Sequence, residues 1–294
     1  MLYVIIIAAM LLSTAVPSLA QEQLIVGNSY SGSIKLSSPN NGVYLALPEG
    51  QWVLAALENT RNNPINSGGY VPIVKGRFLQ IDDRKHIIGI VGFESGNGSE
   101  SGWVTPSFCS RKDTFFIQTE IQNRSAREKK CWGVYPDGMG FPAATASQYV
   151  RDFHQYLSTN GIQRPQSMVV VQFYRSSRDK YLIALHNFNP EVDGFPRSAM
   201  STWQKDIVIA DTKRVQYLNG RKSWGEQWLP TFEAAFNGRP ISQPKATPVT
   251  APVPNSQASM ERRLEELKSL FDKKLITEEE YAEKRKDILN TGLK

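Results

Sequence analysis

Six cations crowd two cysteines near the middle of this chain. Arg111 and Lys112 follow Cys109, and Arg124, Arg127, Lys129 and Lys130 precede Cys131. Such groups, if gathered on one surface, favour polyanions such as an acidic envelope polymer or glycolipid. A Cys109–Cys131 bond would draw the two runs together, with Trp103, Phe108 and Trp132 beside them. A charge run of this kind is also what an ordinary solvated loop carries. The six residues are therefore a candidate anion patch on charge alone. Nucleic acid is not an expected partner if the chain is exported.

The other residue types that do chemistry are scattered. His86, His154 and His186 are the three histidines, and none has a second His or a Glu at ligand spacing. His86 opens a strand after a turn and is expected to be exposed. His154 flanks Phe153 on a helix border, where packing explains it. His186 ends a strand beside Asn187 and is the best placed of the three for a site. Asp82, Asp83 and Asp152 are carboxylates of a turn and a helix edge, where acids also serve solubility. There is no Gly-x-Ser-x-Gly elbow. Ser-x-x-Lys occurs as Ser177 with Lys180 and Ser242 with Lys245, neither opening a helix as that nucleophile pair requires. Ser95-Gly96-Asn97-Gly98 lacks the Lys-Ser or Lys-Thr of a phosphate loop. The cysteines lack Cys-x-x-Cys spacing, so neither a redox pair nor a metal site is expected. No catalytic residue and no cofactor emerges. A hydrolase-like site assembled only by the fold would need a pocket uniting His186 or His154 with Asp and Ser.

The elements that could position these residues change character along the chain. From Gln23 to about Tyr135 it reads as strands. Val43–Leu47 and Trp52–Leu57 flank the turn Pro48-Glu49-Gly50, and Tyr70–Val74 and Arg77–Ile81 follow a loop at Asn62–Gly69. Asp82–Lys85 turns into His86–Phe93, Glu94–Gly102 reads as a surface loop, and Thr114–Ile121 as a strand. Thr145–Leu157 then places Tyr149, Val150, Phe153 and Leu157 on one helical face. Met168–Tyr174 and Tyr181–His186 predict a hairpin. Gln204–Leu218 suits a helix, although Ile207–Ala210 would also suit a strand. Trp224, Trp228, Phe232 and Phe236 recur every four residues as a helical ridge. Pro230 predicts a kink or two helices, and Gly238 a stop. The class is α+β: an antiparallel β-rich body, residues 21–238, with a few packed helices. It has the length to bury a core of its own.

Both ends differ from the body. Leu2–Leu12 is almost wholly apolar, Pro17 breaks the run, and Ser18 and Ala20 precede Gln21. That is the layout of a signal peptide, residues 1–20, cleaved after Ala20. An uncleaved N-terminal membrane anchor is the alternative, although the apolar run is short for a span. A periplasmic or secreted location follows, and export makes a Cys109–Cys131 disulfide the default. Residues 239–258 form a linker, with five prolines between Arg239 and Asn255.

The last segment, 259–294, reads as a helical hairpin. Leu264, Leu267, Leu270 and Phe271 make one apolar stripe. Thr277 with Glu280 forms a capping box, and Ile276 sits at the staple position before Tyr281. Ile288 and Leu289 close the second helix. Together these eight apolar residues are too few to hold so small a hairpin alone, so it should pack on a copy of itself, another protein or the body. The run Asp272-Lys273-Lys274-Leu275-Ile276-Thr277-Glu278-Glu279-Glu280-Tyr281, with Lys284 and Ile288-Leu289, resembles the SHOCT (short C-terminal) domain family. The family usually carries Gly where Lys274 stands. The resemblance implies a bacterial source and a role in oligomerisation or partner binding. The expected function is that of an exported, non-enzymatic protein, with the hydrolase-like enzyme and the polyanion-binding module as alternatives.

Overall fold

The computed structural model describes residues 23–36, 42–62, 71–97, 103, 105–123, 128–140, 142–240, 267–268, 271 and 277–291. The expected leader, most of the linker, Arg124 and Arg127, residues 63–70 and 98–102, and Leu264, Leu270 and Ile276 lie outside them.

Among the described residues ten strands follow in chain order: β1 Ser29–Tyr30, β2 Ser33–Lys35, β3 Tyr44–Ala46, β4 Trp52–Asn62, β5 Val71–Ile81, β6 Ile87–Asn97, β7 Phe116–Asn123, β8 Glu128–Gly138, β9 Ser167–Ser176 and β10 Lys180–Phe188. The helices are α1 Gln148–Thr159, α2 Lys205–Val208, α3 Thr212–Phe236 and α4 Glu278–Thr291. Eight strands form one antiparallel sheet in the order β1-β4-β5-β6-β10-β9-β8-β7, and β2 and β3 form a separate pair. This is the α+β, antiparallel β-rich architecture expected. Two expectations change in detail. The segments expected at Tyr70–Val74 and Arg77–Ile81 are joined over the described residues 71–81 into one strand, β5, and β6 runs on through Glu94 to Asn97 into what composition marked as loop.

Side chains alternate between the faces of a strand, and each face carries its own helix. On one face Ser147 caps α1, its hydroxyl accepting from the Val150 amide at 3.4 Å. Phe153 and Leu157 of α1 bury against Leu79, Ile87, Ile90 and Met168. A bulge in β4 between Leu54 and Ala56 sends Leu54 to the opposite core while Ala55 and Ala56 pack with the α1 cluster. On the other face Asp211 caps α3, accepting from the Arg214 amide at 3.1 Å. The expected ridge is buried there: Trp228, Phe232 and Phe236 pack with Trp132, Val171 and Phe173. Pro230 stands inside a continuous helix rather than dividing it. A helical proline costs about 3 kcal/mol, less than burying this many aromatic side chains returns. Gly238, at φ +75°, closes the helix. Its amide donates to Ala235 O at 3.2 Å and the Arg239 amide to Ala234 O at 3.0 Å, the paired bonds of a Schellman stop.

Helix and sheet approach closely at Gly225. A Cβ there would lie 2.5 Å from Cζ3 of Trp132 and 3.0 Å from Cγ1 of Val171, both deeply buried. Gly225→Ala gains helix propensity of about 1 kcal/mol but forces the indole off its site. We expect a net loss of about 1–2 kcal/mol, seen as a lower urea midpoint with unchanged slope.

Candidate functional site

The α1 face is only partly covered. At one end of the strands lies α1. Toward the other end a strap through Trp103 and residues 105–115 crosses the sheet, held to β8 by a Cys109–Cys131 disulfide with Cα atoms 5.7 Å apart. Trp103 stacks obliquely on Tyr181 at 4.4 Å and lies directly over Gly96, where a Cβ would come within 3.0 Å of the indole. Phe108 packs beside Tyr135. Between helix and strap a cleft of about 510 Å³ remains.

Cross-strand register sets its floor. Arg77 of β5 lies opposite Gly92 of β6, Gly92 opposite Leu185 of β10, and Leu185 opposite Gln172 of β9. Gly92 contributes no side chain to this row, so the floor sinks at its centre. In the next row Lys75 lies opposite Glu94 and bonds Glu58 at 3.3 Å. Tyr181 Oη donates to Glu94 Oε1 at 2.6 Å. Tyr135 Oη donates to Gln172 Oε1, which leaves the amide nitrogen as a donor. Asn187 Nδ2 donates to Ile90 O at 3.2 Å, which leaves its oxygen as an acceptor. Tyr149 and His154 of α1 form one wall, and Asp137 stands at the end of β8 on the rim.

The electrostatics follow from these neighbours. The Arg77 guanidinium lies over the Phe153 ring at 4.7 Å and the Tyr149 ring at 5.4 Å. Burial pushes the Tyr149 hydroxyl up to about 12. Burial of the His154 ring, then the charges of Arg164 and Arg77, hold it below the usual imidazole value. Arg164 Nη1 lies 3.0 Å from His154 Nδ1, and a guanidinium only donates, so that nitrogen accepts and the proton sits on Nε2. Surrounding protein raises the Asp137 carboxyl, although the residue has exposed surface, and the Gly138 amide at 2.9 Å opposes the rise. The cleft thus unites His154 with Asp137. Among the described residues no Ser, Thr or Cys lines it.

Other residues singled out from the sequence lie elsewhere. Arg111 is bound by Asp113 through two hydrogen bonds, at 2.8 and 2.7 Å, and stacks over Tyr135 at 4.4 Å. Lys130 pairs with Glu120 at 2.9 Å. Its strand parity is that of Trp132, so it belongs to the α3 face, whereas Lys129 shares the parity of Cys131. Lys112 is exposed in the bend after Arg111. His86 is half-buried rather than exposed, because Asp82 accepts from both its amide, at 2.7 Å, and its ring Nδ1, at 2.9 Å. His186 departs most from expectation. Alternation turns it to the α3 face, 2% exposed, with ring centroids of Trp224 and Trp228 at 4.9 and 5.4 Å. Neither ring nitrogen has a partner, and burial lowers its pKa to about 3.

Arg77, Gly92, Glu94, Asp137 and Gln172 were missed as a group. The available signal was Lys75 and Arg77 at a spacing of two inside an apolar run, which marks one polar strip on a strand face.

In the C-terminal segment the Phe271 and Tyr281 rings stack at 4.8 Å, and Leu267 is buried. The Tyr281 amide donates to Thr277 O at 3.0 Å in the first turn of α4. Ile288 and Leu289 fall within α4 by backbone, their side chains lying outside the described residues. Residues 262–289 match the family model of the short C-terminal domain, SHOCT. No curated protein and no solved structure matches the chain.

His186 makes a sharp pH prediction. The unfolded chain takes up its proton near pH 6.5, while the folded ring stays neutral to about pH 3. Its contribution is therefore complete above 6.5 and is lost as pH falls toward 3, with a slope approaching about 1.4 kcal/mol per pH unit. Urea titrations between pH 7 and pH 4.5 should show that slope in the wild type and a correspondingly weaker pH dependence in His186→Phe.

Proposed function

We propose that this is an exported, non-enzymatic protein of the bacterial envelope or exterior, whose C-terminal hairpin joins it to a second copy of itself or to another protein. The observation that carries the reading is the short C-terminal domain match at 262–289, appended to a body with its own cores. So small a hairpin cannot bury enough apolar surface to stand alone. Leu267 and the Phe271–Tyr281 stack supply a nucleus for packing, and a partner surface would complete it. The Cys109–Cys131 bond supports an oxidising compartment. The apolar N-terminal run supports a leader that takes the chain there. Among the described residues no helix is long and apolar enough to cross a membrane. The cleft's described lining carries no Ser, Thr or Cys beside His154, which favours binding over acyl transfer through such a nucleophile.

Light scattering on the chain with and without residues 259–294 tests the assembly role. An oligomer that becomes a monomer on truncation, and likewise on Leu267→Asp, identifies the hairpin as the assembly device. Monomers throughout would eliminate self-association and leave a different protein as the partner. Expression in a bacterium with the leader intact should yield an intact mass that begins at Gln21. A mass retaining Met1–Ala20 in the membrane fraction would replace the cleaved leader with an anchor.

A further inference from the structure

We propose that the cleft between α1 and the disulfide-held strap binds a small amphoteric molecule, with a carboxylate at one end and an ammonium at the other, as in a free dipeptide. The site is separate from the hairpin, and the proposal holds whether or not the chain self-associates.

Three observations converge on it. The first is room. A cleft of about 510 Å³ lies within the range of small-molecule sites. Its central depression exists because Gly92 stands between Arg77 and Leu185 in the cross-strand row.

The second is charge. Lys75 is engaged by Glu58. Arg77 is held against two aromatic rings, and no described carboxylate lies within ion-pair distance of it. Glu94 and Asp137 line the same cleft, the former fixed by the Tyr181 hydroxyl. One cleft therefore holds a cation and two carboxylates that do not neutralise one another by contact. A guanidinium with a pre-set plane suits a ligand carboxylate, and Asp137 of β8, across the sheet from Arg77 of β5, suits an ammonium. A simple anion would leave the two carboxylates opposed to it, and a simple cation would leave Arg77 opposed.

The third is a polar pair on β9 and β10, the strands that lie between β6 and β8 and so between Arg77 and Asp137. The Gln172 amide nitrogen is a donor and the Asn187 side-chain oxygen an acceptor, because their other atoms are bound to Tyr135 and to the Ile90 carbonyl. A peptide bond has one acceptor and one donor to match. Ile183 and Leu185 give its side chains an apolar bed.

The test is calorimetric titration of the full chain with Ala-Ala and Leu-Ala, and with their N-acetyl and C-amide forms. The free dipeptides should bind, and blocking either terminus should weaken binding by at least about tenfold, since each removes one charge-assisted contact. Gly92→Leu should weaken binding similarly by filling the depression. It is the variant expected to fold, because a Cβ there meets Leu185 at an ordinary 3.6 Å. Arg77→Gln should abolish the dependence on the free carboxylate. Absence of heat with the free dipeptides at millimolar concentration would overturn the proposal. So would equal binding of the blocked forms, or unchanged binding by a folded Gly92→Leu.

Discussion

The antiparallel seam between β6 and β10 is the constraint on which the rest of the body depends. It joins strands about ninety positions apart, over nine consecutive residue pairs from Lys180↔Asn97 to Phe188↔Gly89. Without it, β4-β5-β6 and β10-β9-β8-β7 would each expose an open inner edge, with a row of unpaired amides and carbonyls. With it, the two groups become one surface wide enough to carry a helix on each side. The α1 cluster takes residues from both groups, Leu79 and Ile90 from one and Met168 from the other. The α3 cluster does the same with Phe78, Val91, Phe173 and Ala184.

The two faces built on this seam are used differently. Behind it, α3 presents a row of aromatic rings, and even a histidine is held there dry and neutral. In front, α1 and the strap leave the seam itself open, so that Gly92, Leu185 and Glu94 of the joined strands become a floor. An antiparallel sheet allows this division because alternate residues of one strand serve opposite solvents. Val91 and Phe93 go to the closed core, while Gly92 and Glu94 meet the cleft. Packing demands are met on one side, which leaves the other side free to carry charge.

What could be read from the sequence was local. The hairpin at 168–186, the turn at Asp82, the helix carrying Tyr149, Phe153 and Leu157 and the stop at Gly238 each rest on residues a few positions apart, where turn chemistry and helical spacing act. The SHOCT segment was legible for the same reason. The strand order was not, because the β6–β10 pairing leaves no short-range signal. Pro230 did not divide the helix in two, because a local cost was outweighed by burial along its whole length. The cleft was hidden by its own chemistry. Lys75, Gly76 and Arg77 look like an interruption between two strands, and Glu94 looks like the start of a loop, because polar residues facing a concave surface break the apolar pattern used to find strands. His186 looked available because a strand end beside Asn187 does not reveal which face the ring takes.

The close of α3 also has a mechanical meaning. A Cβ on Gly238 would strike the Gly42 carbonyl at 2.6 Å, so the departing chain is wedged beside the residue that leads into β3. Tension arriving from the C-terminal segment would be delivered to the final turn of α3, where Phe232 and Phe236 are keyed into the middle of the sheet. The load would then spread across several strands in shear, and no edge strand would be peeled away bond by bond. A body joined to a neighbour through its C-terminal end would thereby be gripped at a helix packed across several strands. Near the first described residues the hold is of another kind: β1 offers two residues to the sheet, and the Gly27 amide adds a bond to Leu54 O at 2.8 Å.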